Sequence, residues 1–121
     1  GKWFHCLDIT HPGVQQHVRD TVRMAVHQWG FRYLKVDFLY CTALPAARYD
    51  PRLTRAQAMD LGMRIIREAA GDDVFLLGCS IPLGSALGHV DSIRVSADAG
   101  LAWFPDICSW DKTNLPAARN A

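Results

Sequence analysis

Apolar positions recur along the chain in two rhythms, and the rhythms alternate. Phe4-His5-Cys6-Leu7-Asp8-Ile9 reads as a short strand. His11-Pro12-Gly13 changes direction, and Pro12 suits the first position of a helix, where its missing N–H costs nothing. Val14, Val18, Val22, Ala25, Val26 and Trp29 follow at helical spacing. They predict one face of an amphipathic helix of about five turns. Gly30 ends it as the residue past the cap.

The rhythm then shortens. Residues 31–40 predict a second strand, apolar, aromatic and β-branched, of the kind buried on both faces of a parallel sheet. Residues 41–53, with Pro45, Pro51, Arg48, Tyr49, Asp50 and Arg52, read as a loop. It is long for a connector in a compact domain, and such loops often carry function. Thr54-Arg55-Ala56-Gln57 has the capping-box pattern and opens a second helix, with Ala58, Leu61, Ile65 and Ala69 as its buried stripe. Gly71 ends that helix. Residues 74–79 predict a third buried strand and residues 90–95 a fourth, with at most a short helix between them. The tail holds Trp103, Phe104, Pro105 and Trp110, then Leu115-Pro116-Ala117-Ala118-Arg119, which resembles the opening turn of a further helix.

Strand, helix, strand, helix, strand, short connection, strand is the order of right-handed βαβ units on a parallel sheet. The strands are hydrophobic throughout, so both faces should be covered, yet two full helices cover only one. The expected fold is therefore α/β, a partial (β/α)8 barrel of about four parallel strands. It forms a single domain over residues 1–121, where a complete barrel needs about 250 residues. A four-stranded doubly wound, flavodoxin-like domain is the runner-up, and it lacks the Gly-rich phosphate loop such folds use.

Composition narrows the function classes. Half of the 121 residues are hydrophobic and 21% are charged, a globular composition. A net charge of +1 argues against steering toward nucleic acid or an anionic membrane. No apolar run approaches the roughly 18 residues of a membrane helix, and no signal-peptide core opens the chain. The expectation is a cytoplasmic protein. Cys6, Cys41, Cys79 and Cys108 have long, irregular spacings without a zinc pattern, and they read as buried or half-buried thiols. No metal or cofactor is expected.

The candidate chemistry lies at strand ends, where barrel enzymes place it. In Tyr33-Leu34-Lys35-Val36-Asp37-Phe38-Leu39-Tyr40, Lys35 and Asp37 are two apart and share one side of the strand. The third strand ends in Cys79 and Ser80, and the fourth in Arg94, with Asp98 just beyond. Two carboxylates from different strand ends are what glycosidic cleavage requires: one attacks the anomeric carbon and the other protonates the leaving oxygen. Lys35 would keep Asp37 ionised, Arg94 would hold sugar hydroxyls, and Trp103 and Trp110 would supply flat apolar walls. Spacing alone leaves Lys35 and Asp37 open between a structural ion pair and a site. It leaves Asp98, beside Gly100, open between a catalytic group and a turn residue. Cys79 without a histidine partner reads as a buried thiol, His17 and His27 as solvated, and Asp8 as a strand-end cap.

At these residues the chain resembles the family 36 glycoside hydrolases, the microbial α-galactosidases. Residues 33–39 resemble the nucleophile strand. Leu7-Asp8-Ile9-Thr10 resembles the preceding strand and its turn. Leu77-Gly78-Cys79-Ser80-Ile81-Pro82-Leu83 resembles the Gly-Cys-Gly-x-Pro segment, with Ser80 where the family usually has Gly. Gly88-His89-Val90-Asp91-Ser92-Ile93-Arg94-Val95-Ser96-Ala97-Asp98 resembles the acid/base segment, with Val95-Ser96-Ala97 where Ile-Gly-Pro is common. The resemblance implies barrel strands three to six and a retaining mechanism on terminal α-galactosides. It implies Asp37 as nucleophile, Asp98 as acid/base, and Lys35, Cys79, Arg94 and Trp103 as substrate contacts. The partner it implies is an α-galactoside oligosaccharide. Unpartnered strand edges and the open barrel face add the expectation of a homo-oligomer, and with it the alternative of a catalytically inactive half-barrel.

Overall fold

The computed structural model describes residues 5–95. Its elements run α1 (Pro12–Arg23), a π-helical turn (Met24–Gln28), β1 (Tyr33–Val36), a 3-10 turn (Leu39–Ala43), α2 (Arg55–Ala70), β2 (Phe75–Cys79), α3 (Leu83–Ala86) and β3 (Ser92–Arg94). The strands form one parallel sheet in the order β1-β2-β3. The chain is thus mixed α/β, with α2 as the crossover between β1 and β2. None of the described helices is long and apolar enough to cross a membrane.

Local sequence explains the helix ends. His11 caps α1, its Nδ1 accepting from the Gly13 N–H at 3.1 Å, and Pro12 occupies the first turn. Both halves of the capping box on α2 are made. The Gln57 N–H donates to Thr54 Oγ1 at 3.2 Å, and the Thr54 N–H donates to Gln57 Oε1 at 2.9 Å. Gly30 at φ 77° and Gly71 at φ 81° take the left-handed backbone that stops each helix.

The described helices lie on one face of the sheet. Leu34, Val36, Leu76 and Ile93 point into the main core, against Met59, Met63, Ile66 and Ala70 of α2 and Val18, Val22 and Val26 of the first helix. The stripe expected on α2, including Ala58 and Ile65, packs instead against Ile9, Val14 and Val18. The sheet-facing stripe sits one position further along the helix at Met59, Met63 and Ile66. α2 is therefore wedged between sheet and α1, with apolar surface on two sides.

The structure departs from expectation in three ways. It has three strands among the described residues, not four. The segment expected as the first strand has no regular structure at residues 5–8 and turns at Ile9–Thr10. The cause is polar: the Asp8 carboxylate accepts from the Thr10 N–H (3.0 Å), the Thr10 hydroxyl (2.8 Å) and the Tyr49 N–H (2.6 Å). Thr10 Oγ1 in turn accepts from the Asp50 N–H at 3.0 Å. These bonds fold the segment onto the loop after β1 rather than along the β1 edge. Second, among the described residues helices cover one face of the sheet, not both. Tyr33 (54% exposed) and Phe75 (41%) stack at 5.2 Å on the open side. Third, Trp29 is exposed rather than part of the helix stripe. The π turn, closed by the Trp29 N–H on the Met24 carbonyl (3.1 Å), inserts an extra residue and rotates Trp29 off the apolar face.

Candidate functional site

In a β-strand alternate residues share a face, and in a parallel sheet register decides which side chains meet. Tyr33 pairs with Phe75, Lys35 with Leu77, Leu77 with Ser92, and Cys79 with Arg94. All of these alternate onto the open face. They form three levels: aromatic at the N-terminal ends of the strands, mixed in the middle, and polar at the C-terminal ends. Val36 pairs with Gly78, so Asp37 follows at the level of Cys79 and Arg94. Four of the six expected site residues, Lys35, Asp37, Cys79 and Arg94, are thus brought to one end of one face. Asp98 and Trp103, with Cys108, Trp110 and residues 116–119, lie outside the described residues.

Asp37 is the centre of the group. Its Oδ1 accepts from the Phe38 N–H at 2.7 Å, and its Oδ2 lies 3.7 Å from Lys35 Nζ. Its carboxyl is held below the usual carboxylate range. The neighbouring Cys79 thiol contributes most, burial opposes it, and the Phe38 N–H, the Ser80 hydroxyl and the Lys35 charge add to the effect. Lys35 was the expected cause, and it is the weakest of these. Its ammonium is half-exposed and 3.7 Å away, where water screens it. The Cys79 thiol is pushed up, by burial first and then by the Asp37 carboxylate, so it stays a protonated donor at neutral pH. Asp37 is therefore an ionised carboxylate with neutral donors around it, the state a nucleophile needs.

Two backbone features accompany these side chains, and sequence patterning did not show them. Phe38 (φ 57°) and Ser80 (φ 53°) are the only described non-glycine residues with positive φ. They sit side by side, one residue beyond Asp37 and Cys79. The left-handed region costs a residue with a Cβ about 1–2 kcal/mol, and such strain clusters at functional sites. The Ser80 carbonyl accepts from the Tyr40 N–H at 3.0 Å, which ties the turn after β2 to the turn after Asp37.

Asp8, read as a cap, clamps the loop over residues 48–50. Burial pushes its carboxyl up, but the Tyr49 and Thr10 N–H groups, the Thr10 hydroxyl and Arg48 together hold it below its ordinary value. Asp91, within the acid/base-like segment, has a purely structural place. Its Oδ2 accepts from the Leu76 N–H (2.7 Å) and Arg67 Nη2 (2.6 Å). Arg67 also donates to the carbonyls of His89 (2.8 Å), Val74 (2.8 Å) and Gly71 (3.1 Å). His17 and His27 are exposed, as expected, while Cys6 is exposed rather than buried. No group of three or more His, Cys, Asp or Glu side chains among the described residues is placed to hold a metal ion.

A cavity of about 760 Å³ opens on the helix side, lined by residues that include Ile9, Val14, Val18, Leu39, Met59 and Ile66. None of Lys35, Asp37, Cys79 or Arg94 lines it, and its walls are almost wholly apolar. Its lining also includes His5, Cys6, Cys41 and Thr42, and it shares no polar side chain with the strand-end cluster. The strand-end cluster is the candidate site. No protein-family model matches the chain.

Proposed function

We propose that the chain is the catalytic region of a retaining α-galactosidase-type glycoside hydrolase, part of a (β/α)8 barrel seen from its interior face. One observation carries the reading: an ionised Asp37 stands level with Cys79 and Arg94, and beside Lys35, at the C-terminal ends of three adjacent parallel strands. The layered open face supports the barrel part, since barrel interiors are built from such levels.

Asp37 attacks the anomeric carbon of a terminal α-galactoside and forms a covalent glycosyl-enzyme. A protonated carboxyl donates to the leaving oxygen, then takes a proton from the water that releases the sugar. Asp98, just past Arg94, is assigned this second role. The Lys35 ammonium and the Arg94 guanidinium donate to sugar hydroxyls, the Cys79 thiol holds Asp37, and Trp103 walls the sugar. No cofactor takes part. The test is hydrolysis of an aryl α-galactoside by the 121-residue chain and by Asp37→Ala. Hydrolysis abolished by the substitution supports the reading, and hydrolysis that survives it overturns the role of Asp37.

A second reading has its own observation. Tyr33 and Phe75 stack, both exposed, on the sheet face that the described helices do not cover. In this reading the chain is an inactive half-barrel whose open faces meet in a homo-oligomer. Light scattering that returns a monomeric mass retires it.

A further inference from the structure

One backbone N–H in the strand-end cluster is aimed straight at a carboxylate. The Phe38 N–H donates to Asp37 Oδ1 at 2.7 Å. The bond spans a single peptide unit, so the backbone at Asp37 and Phe38 sets its geometry. Phe38 is left-handed, with φ 57° and ψ 19°. That conformation is costly for a residue with a Cβ, and burial of the ring does not offset it. The ring lines the apolar cavity but stays 62% exposed. Backbone bonds hold the conformation instead. The Phe38 carbonyl accepts from the Cys41 N–H at 3.3 Å, and the Tyr40 N–H, in the same turn, donates to the Ser80 carbonyl at 3.0 Å. The turn is thereby tied to the end of β2, and the Phe38 N–H is held against Oδ1. The other oxygen, Oδ2, stands 3.7 Å from Lys35 Nζ, beyond hydrogen-bond length.

We propose that Phe38 is a positioning residue for the Asp37 nucleophile: its left-handed backbone aims its N–H at Oδ1 and holds the carboxylate in one orientation. The role belongs to the backbone and not to the ring. It rests on Asp37 being the nucleophile, and it explains why a residue other than glycine keeps a strained conformation directly after Asp37. The charged and titratable groups around Asp37 are Lys35 on its own strand, Cys79 and Arg94 level with it on β2 and β3, and Tyr40 and Cys41 in the turn that follows. A bond from a backbone N–H to an ionised carboxylate is of the charge-assisted, stronger kind.

The bond is read at its donor, by NMR in the full 121-residue chain. The Phe38 amide proton moves upfield as Asp37 is protonated, with the same midpoint as the Asp37 carboxyl carbon, and the movement is absent in Asp37→Asn. A Phe38 amide proton that ignores the Asp37 titration overturns the proposal. Two variants assign the role to the backbone. Phe38→Gly keeps the N–H and adopts the left-handed backbone freely, so the amide response persists. Replacing Phe38 by its α-hydroxy acid keeps the ring and exchanges the N–H for an ester oxygen, which raises the Asp37 midpoint. Where aryl α-galactoside hydrolysis is measurable, the ester lowers kcat on the order of tenfold with KM unchanged, as for the loss of one hydrogen bond to a charged group. A midpoint or a kcat unmoved by the ester overturns the proposal, and so does loss of the amide response in Phe38→Gly. The amide titration needs neither activity nor the ester chain, so a chain that hydrolyses nothing counts against the glycosidase reading and leaves the Phe38 result intact.

Discussion

Asp91 and Asp37 each pair with a basic side chain, and the two pairs are built differently. Asp91 accepts short bonds from Arg67 and from the Leu76 N–H, and Arg67 spends its remaining donors on three backbone carbonyls. Arg67 is only 16% exposed, and the network joins the end of α2, the start of β2 and the approach to β3. It holds the fold. Asp37 has a loose partner at 3.7 Å, neutral donors in Cys79 and Ser80, and a left-handed residue, Phe38, directly after it. Its ion pair is half-exposed at the strand ends. Asp91 is fixed by short bonds from a largely buried guanidinium and a backbone N–H, whereas Asp37 is held ionised by neutral donors with only a distant, half-exposed ammonium.

The first way to break the contrast is Asp37→Asn. Glycosidase activity falls on the order of 10³-fold or more, as when a nucleophile is removed. The denaturant midpoint stays within about 0.5 kcal/mol of the parent, the range of surface changes. An equal fall in stability would place Asp37 with Asp91 as a structural group. Second, Arg67→Ala lowers stability by about 2–3 kcal/mol in denaturant titration, because it leaves Asp91 and partly buried carbonyls short of donors. An unchanged midpoint would remove the structural half of the contrast.

Acid separates the two sites more gently. Asp91 is held below the ordinary value of 3.8 by the Leu76 N–H first and the Arg67 guanidinium second. A carboxyl depressed in the folded state adds stability above the ordinary value and loses it as pH falls through the folded one. Stability measured by urea midpoint therefore falls below about pH 4, the unfolded carboxylate range, and Asp91→Asn flattens that fall. Asp50 shares the trend, its carboxyl drawn down to about 2 by the Arg52 guanidinium, though it stands at the surface. The smallest effect belongs to Lys35→Ala, which changes stability by less than about 0.5 kcal/mol, as for exposed pairs. It weakens substrate binding, seen as a raised KM.

The sequence made some of these features legible and hid others, and the division follows range. The capping box at Thr54 and Gln57, the stops at Gly30 and Gly71, and the apolar run of β2 are local signals, and all three read correctly. Lys35 and Asp37 share a face because strand alternation is local too. Residues 5–9 look like a strand by the same rule, yet Asp8 and Thr10 bond to Tyr49 and Asp50 about 40 residues away. Arg67 and Asp91 are equally distant in kind, 24 residues apart with no motif between them. The π turn that exposes Trp29 leaves no mark in the spacing. The left-handed turns at Phe38 and Ser80 carried no glycine to announce them.

Covalent trapping tests the central claim most directly. A galactose-configured cyclophellitol-type epoxide alkylates the carboxylate that attacks the anomeric centre, and peptide mapping by mass spectrometry locates the bond. The account predicts a single adduct on Asp37, lost in Asp37→Asn and retained in Lys35→Ala. An adduct on another residue, an adduct that persists in Asp37→Asn, or a folded chain that takes no label would contradict it.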